Sequence, residues 1–324
     1  MKIIIPNYPA PDSFAENVAV TLRAMGHEVR TPEFSDIAVI QYRWSRAVRR
    51  IADAAFVNRL TPQEKWLRGV YRQQRPDMLL CLTQAIREDV LEDLVKLGTK
   101  CVVWWGDTSA NMTKMGLLND LWHLILLKEK AAVRKFQSVG LNAHLLHEAM
   151  NPMWHRKAYA TVGESVVVAG NYYGFRQFLL LRLLQAGVPM ALYGPQPPRW
   201  AHPAVREHHL GAYIVREEKS RIFGEGLACL NSTALSEGDS LNCRAFETAG
   251  AAGLQLFEDK PVVADCFEPG KEVLIYRSVE EILELLARAR KEPVWASGVR
   301  EGGWRRAHAE HTYDRRLKTI LELL

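Results

Sequence analysis

Short apolar runs alternate with amphipathic stretches along this chain. Residues 2–5 are apolar and closed by Pro6, which predicts a buried strand. Ser13 and Glu16 have capping-box spacing, and Phe14, Val18, Leu22 and Met25 then recur at helical intervals until Gly26. Residues 27–30 predict the next strand. Further strands are predicted at 77–82 and 100–105, with a helix at 87–97 between them ended by Gly98. A strand at 121–127, a helix at 129–139 and a strand at 143–146 follow. This alternation predicts a parallel α/β sheet.

The Asn-Pro break within 147–155, HEAMNPMWH, reads as a crossing between two domains, 1–150 and 151–324. The pattern then restarts with a strand at 166–168, Gly170, and a Leu-rich helix ended by Gly187. Strands at 190–193 and 227–231 come next. Ser278 with Glu281 forms a second capping box, for a helix carrying Val279, Ile282, Leu286 and Ala289.

Composition changes this picture little. A length of 324 residues fits two domains, and 48% hydrophobic with 24% charged residues is ordinary for a globular protein. The net charge of +5 suits anionic substrates but is too weak to argue a nucleic-acid partner. The apolar run at 2–5 is too short for a signal peptide or a membrane span. Cys81, Cys101, Cys229, Cys243 and Cys266 show no C-x-x-C pairing and read as free thiols of a reducing, cytoplasmic compartment. Arg43, Arg46, Arg49 and Arg50 fall near one helical face beside Tyr42 and Trp44. Such a run is more often a solvated face than an acceptor patch or a peripheral membrane contact.

Chemistry concentrates at 240–276. Asn242, Arg244 and Glu247 lie at or near a predicted helix N-terminus, where free N–H groups favour an anion. Gly250 and Gly253, among alanines, allow close approach of a backbone or a ligand. An arginine for phosphate and a glutamate able to accept from ribose hydroxyls make a nucleotide-diphosphate site. Gly170, Asn171 and Arg176, at a strand end, glycine turn and helix start, suit a diphosphate too. Asp107 ends a predicted strand just past Trp104 and Trp105, where ligands gather in open α/β sheets. It reads equally as a general base and as a turn cap, and the tryptophans as a sugar-stacking wall.

The pattern N-x-R-x-F-E at 242–247, the small-residue turn, F-E-P-G-K-E-x-x-x-Y at 267–276 and E-H-T-Y-D-R-R-L at 310–317 resemble the CgeB-like (spore maturation protein) glycosyltransferases. The resemblance is strongest from about residue 166 onward. It implies a GT-B fold, with two Rossmann-like domains facing across a cleft and a last helix, from about 303, crossing back to the first domain. It implies a nucleotide sugar held by the second domain: Gly170, Asn171, Arg176 and Arg244 near the diphosphate, Asn242 and Gly250 alongside, Glu247 on ribose. Residues 209–215 resemble the short base-reading strand of that fold, which makes Tyr213 a candidate to stack on the base, although aromatics in strands are more often core. On the acceptor side the resemblance implies Asp107, Trp105 and His147, with a glycan, protein or small molecule as acceptor.

No D-x-D pair, P-loop, G-x-S-x-G, H-E-x-x-H or zinc spacing occurs. His308 and His311 lack further ligands and read as structural. The expectation is therefore metal-independent glycosyl transfer without a cofactor, with arginines and helix N-termini stabilising the departing diphosphate. A nonhydrolysing sugar-nucleotide epimerase and a non-catalytic nucleotide-sugar-binding module are the alternatives.

Overall fold

The computed structural model describes residues 1–37, 60–112, 117–157, 161–211 and 213–324; the arginine-rich stretch at 41–50 lies outside them. The chain divides into two compact units, one of residues 1–107, 111–146 and 317–324, the other of residues 108–110 and 147–316.

The first unit runs β1 (Lys2–Ile4), α1 (Phe14–Ala24), β2 (Glu28–Arg30), α2 (Phe34–Ile37), α3 (Pro62–Gln73), β3 (Met78–Leu82), α4 (Glu88–Lys96), β4 (Lys100–Trp105), β5 (Leu124–Leu127), α5 (Lys130–Gln137) and β6 (Ala143–Leu145). Its six strands are parallel in the order β2-β1-β3-β4-β5-β6. Covered on both faces, the strands read as continuous apolar runs, such as the wholly buried MLLCL of β3. Leu67 and Tyr71 of α3 and Val90, Leu91 and Leu94 of α4 pack on Leu79, Cys81, Cys101 and Val103.

The predicted capping boxes are half formed. Ser13 Oγ accepts from Glu16 N at 3.2 Å, but the Glu16 carboxylate accepts from Asp12 N at 2.6 Å instead of returning to Ser13. Ser278 behaves alike: its Oγ accepts from Glu281 N at 3.2 Å, while Glu281 turns to Arg277 N at 2.6 Å. A complete box opens α3, where Thr61 Oγ1 accepts from Glu64 N and Glu64 accepts from Thr61 N. Buried Glu64 also accepts from Arg87 N at 3.0 Å, which ties the entrances of α3 and α4 together.

The second unit runs β7 (Val166–Ala169), α6 (Gly174–Gln185), β8 (Met190–Tyr193), α7 (Pro203–Glu207), α8 (Arg216–Glu225), β9 (Ala228–Asn231), α9 (Cys243–Gly250), β10 (Gln255–Glu258), α10 (Pro261–Cys266), β11 (Leu274–Tyr276), α11 (Val279–Lys291) and α12 (Pro293–Glu310). The last helix, α13 (Tyr313–Glu322), begins in this unit and from Leu317 is grouped with the first. The sheet is parallel in the order β11-β10-β9-β7-β8. Alternation along β7 divides the core. Val166 and Val168 pack with Leu180 and Leu183 of α6 and Ile282 and Leu286 of α11, whereas Val167 packs with Ile222 and Phe223 of α8. The strand expected at 209–215 is reduced to one parallel bridge between His209 and Leu192. Gly211, at φ +72°, turns the chain out of extended geometry there.

Helix α12 carries a buried arginine that closes helix ends. Arg300 donates to the carbonyls of Gly224 (3.0 Å), Gly226 (2.7 Å), Leu227 (2.9 Å) and Ala252 (3.2 Å), at the exits of α8 and α9. His308 shares a 3.0 Å hydrogen bond with the Gly250 carbonyl. His311 Nε2 donates to the Cys266 carbonyl at 2.8 Å, and its Nδ1 accepts from Arg316 at 2.9 Å, so the ring is held neutral. Burial lowers its pKa to about 4. Among the described residues no helix is long and apolar enough to cross a membrane. All five cysteines are free.

Candidate functional site

In the second sheet β8 lies on one side of β7, while β9, β10 and β11 extend on the other. The chain thus changes direction between β7 and β9, and the loops leaving their carboxyl ends diverge. In open α/β sheets this is where ligands bind. The β7 loop carries Gly170 and Asn171 into α6; the β9 loop, residues 232–241, leads into α9.

Arg176, in the first turn of α6, is 1% exposed. Its Nη1 donates to the Asn171 carbonyl at 2.6 Å, its Nε to Ser232 Oγ at 3.0 Å, and its Nη2 to the Ser232 carbonyl. It therefore staples the β7 loop to the β9 loop. Burial, followed by the charge of Arg244, lowers its pKa to about 10, leaving it charged at neutral pH. Arg176, expected near a diphosphate, has its donors committed to these two loops. A fully buried guanidinium needs acceptors, and it has found them in the protein.

Arg244, in the first turn of α9, is half-buried and lies against Gly170. Gly170 has φ +119°, a conformation that favours glycine, and a Cβ there would stand 2.7 Å from the movable Nη1 end of Arg244. Arg244 Nε is buried without a hydrogen-bond acceptor. Among the described residues neither Arg176 nor Arg244 has a carboxylate within 4 Å. Two adjacent guanidinium charges beside the free N–H groups of a helix start concentrate positive charge at this point of the sheet. Asn242 caps α9 by position without a side-chain hydrogen bond to it; its amide is exchanged with Asn231, both contacts at 3.0 Å. This pair fixes the start of α9 to the end of β9.

Glu247, one turn further, is buried and paired with Lys219 of α8 at 2.7 Å. Lys219 escaped the sequence reading; within EEKS of an amphipathic helix it carries no signal beyond its own charge. Gly250 does not reach these charges. It lies at the other end of α9, about 12 Å along the helix axis from its start. A Cβ there would stand 2.9 Å from Met150 Cγ, and its carbonyl is taken by His308. Close helix packing, not ligand approach, demands that glycine. Tyr213 is 72% exposed in the loop beyond the His209 bridge, with no strand to hold it. His147 is buried, its ring 6.3 Å from Phe246, and its carbonyl accepts from Arg316 Nε at 3.1 Å.

In the first unit, Asp107 lies two residues beyond β4 and accepts from Asn111 Nδ2 at 2.7 Å across the turn. The tryptophan wall is corrected. Trp104 is fully buried, edge-on to Phe14 at 4.8 Å with its Nε1 donating to the Leu146 carbonyl. Trp105 is 8% exposed within the opposite core layer. Consecutive residues of a strand covered on both faces point into both layers.

Residues 176–322 match the family model described as Glycosyl transferase-like. No curated protein matches the chain. Among solved structures, sucrose-phosphate synthase (tll1590) from Thermosynechococcus elongatus is similar at 11% identity and TM-score 0.68, over 100% of this chain and 98% of that one. Anabaena Alr3699/HepE, in complex with UDP and glucose, is similar at 10% identity and TM-score 0.65, over 99% and 98%. OtsA in its apo form follows at 12% identity and TM-score 0.60, over 99% and 98%. At these identities the likeness speaks to fold. The chain has the GT-B fold with two Rossmann-like parallel sheets, and the family match supports a glycosyltransferase.

Proposed function

We propose that the chain is a CgeB-like glycosyltransferase that moves a sugar from a nucleotide-diphosphate donor to an acceptor hydroxyl without a metal ion. The observation that carries this reading is the pair of guanidinium groups, Arg176 and Arg244, free of carboxylate partners among the described residues and set where β7 and β9 diverge. The diphosphate takes this charged site: Arg244 and the first N–H groups of α9 contact it, with the Gly170 and Asn171 backbone alongside. Arg176 contributes charge from behind and holds both loops. The same groups stabilise negative charge on the departing diphosphate, the role a metal ion fills elsewhere. Glu247, oriented by Lys219, accepts from ribose hydroxyls, and Tyr213 is available to the base. Asp107 is the proposed base on the acceptor side, where His147 also contributes; a glycan, protein or small molecule is the acceptor. Five free thiols fit a cytoplasmic setting. HepE has been captured with UDP and with UDP-glucose, which makes UDP the first donor nucleotide to try.

The test is a thermal-shift panel of UDP, GDP, dTDP and CDP on the wild type and on Arg244→Gln. A nucleotide at about 100 times its Kd stabilises the fold by roughly 2.7 kcal/mol. One base should stand out on the wild type, and the shift should vanish in the variant. No response to any nucleotide refutes the proposal.

A further inference from the structure

The β9 loop leaves the sheet at Ser232 and returns at α9 with little core of its own; Leu235 in it is 85% exposed. Polar contacts fix its path. Lys260, at the entrance to α10, donates from Nζ to Thr233 Oγ1 at 2.8 Å and to the Gly238 carbonyl at 2.8 Å, with the Glu237 carbonyl at 3.4 Å. Glu258, the last residue of β10, accepts from Thr233 N at 3.1 Å and from the Thr233 hydroxyl. Val262 N donates to Asp239 at 2.9 Å. The Lys260 and Glu258 side chains are 15% and 19% exposed and 3.5 Å apart. Both stand on the β10–α10 turn, beside a strand held between β9 and β11.

This loop presents Ser232 to Arg176 at one end and delivers Asn242 and Arg244 at the other. Its course therefore decides where the N–H groups of α9 point. We infer that Lys260 and Glu258 are positioning residues for the proposed anion site. They grip the β9 loop at Thr233, next to the Ser232 that Arg176 holds, and keep it in register for a diphosphate that neither of them touches. The inference rests on the donor reading above. Lys260 and Thr233 line a recess of about 470 Å³ together with Phe175, Leu235 and Tyr276, so Lys260 can be replaced without opening a hole in the packed core.

The test compares wild type, Lys260→Met, Glu258→Gln and Lys260→Arg in the full chain. Calorimetric titration with inorganic pyrophosphate and with UDP gives affinity, and amide hydrogen exchange without ligand reports on residues 232–242. Lys260→Met should weaken pyrophosphate and UDP at least tenfold. Its loop amides should exchange at least tenfold faster while those of β7, β9 and β10 keep their protection. Glu258→Gln should show the same pattern in milder form, and Lys260→Arg should restore affinity to within about threefold. Wild-type affinity in Lys260→Met overturns the inference alone. So does a loss of protection across the whole sheet, which marks a merely structural role. A wild type that binds neither pyrophosphate nor UDP overturns the donor reading and the inference with it.

Discussion

Arg176→Met removes a charge that the fold keeps buried at a cost. Lowering its pKa from 12.5 to about 10 corresponds to a burden of about 3 kcal/mol at 1.36 kcal/mol per unit. Against that stand three hydrogen bonds, to the Asn171 carbonyl, Ser232 Oγ and the Ser232 carbonyl. Charge-assisted bonds contribute about 1.5–3 kcal/mol each, so together they outweigh the burden by about 2–6 kcal/mol. Methionine keeps the stem but leaves three oxygens unsatisfied. The second unit should therefore unfold roughly 4–24 °C lower, at 2–4 °C per kcal/mol for a domain of its size. Scanning calorimetry reads this directly, with the second unit identified as the transition that pyrophosphate raises. Arg176→Lys should fall between, because one ammonium cannot reach both loops in the fork geometry of a guanidinium. A shift below 2 °C in Arg176→Met would refute the claim that the hydrogen bonds exceed the desolvation cost. A large shift with unchanged pyrophosphate affinity would separate loop stapling from the electrostatics of the proposed site.

Arg300→Met strands four carbonyls at once and should cost about 3–5 kcal/mol, seen as a lower urea midpoint; a loss under 1 kcal/mol would show that water replaces the guanidinium. His311 has its pKa lowered by burial to about 4, so between that value and 6.5 the unfolded chain binds a proton that the native chain does not. Its contribution is whole above pH 6.5 and is lost as pH falls towards 4, by about 3 kcal/mol in all. Urea midpoints at pH 7.5 and 5 should therefore differ less in His311→Gln than in the wild type. Gly250→Ala places a methyl 2.9 Å from Met150 Cγ and should lower stability by about 1–3 kcal/mol without changing UDP affinity; a tenfold loss of affinity would return Gly250 to the donor site.

Much of the fold was legible because it is written locally. Apolar runs of strand length, helical repeats and terminal glycines lie within a few residues of one another, and the β/α alternation follows from them. Partners distant in sequence were not legible. Arg176 finds Ser232 across 56 residues, and Glu247 finds Lys219 across 28, so the partners that bury each charge could not be read from the sequence. Trp104 and Trp105 misled because two adjacent aromatics look like a surface, whereas a strand covered on both sides sends them to opposite layers. The capping boxes misled more subtly. Spacing identifies the N-cap acceptor, but which N–H the returning glutamate meets depends on the entry of the preceding residue, as at Asp12 with its φ of 59°.

The grouping of Leu317–Leu324 with residues 1–146 has a consequence for synthesis on the ribosome. Leu317 and Ile320 are buried, so the first unit is not complete when Leu146 emerges. The intervening residues 147–316 must be translated first, which at 5–20 residues per second means roughly 9–34 s of waiting. During that interval the first unit lacks the segment in which Leu317 and Ile320 become buried, while the second unit can close as soon as Arg316 is out. The order of completion thus runs opposite to the order of synthesis.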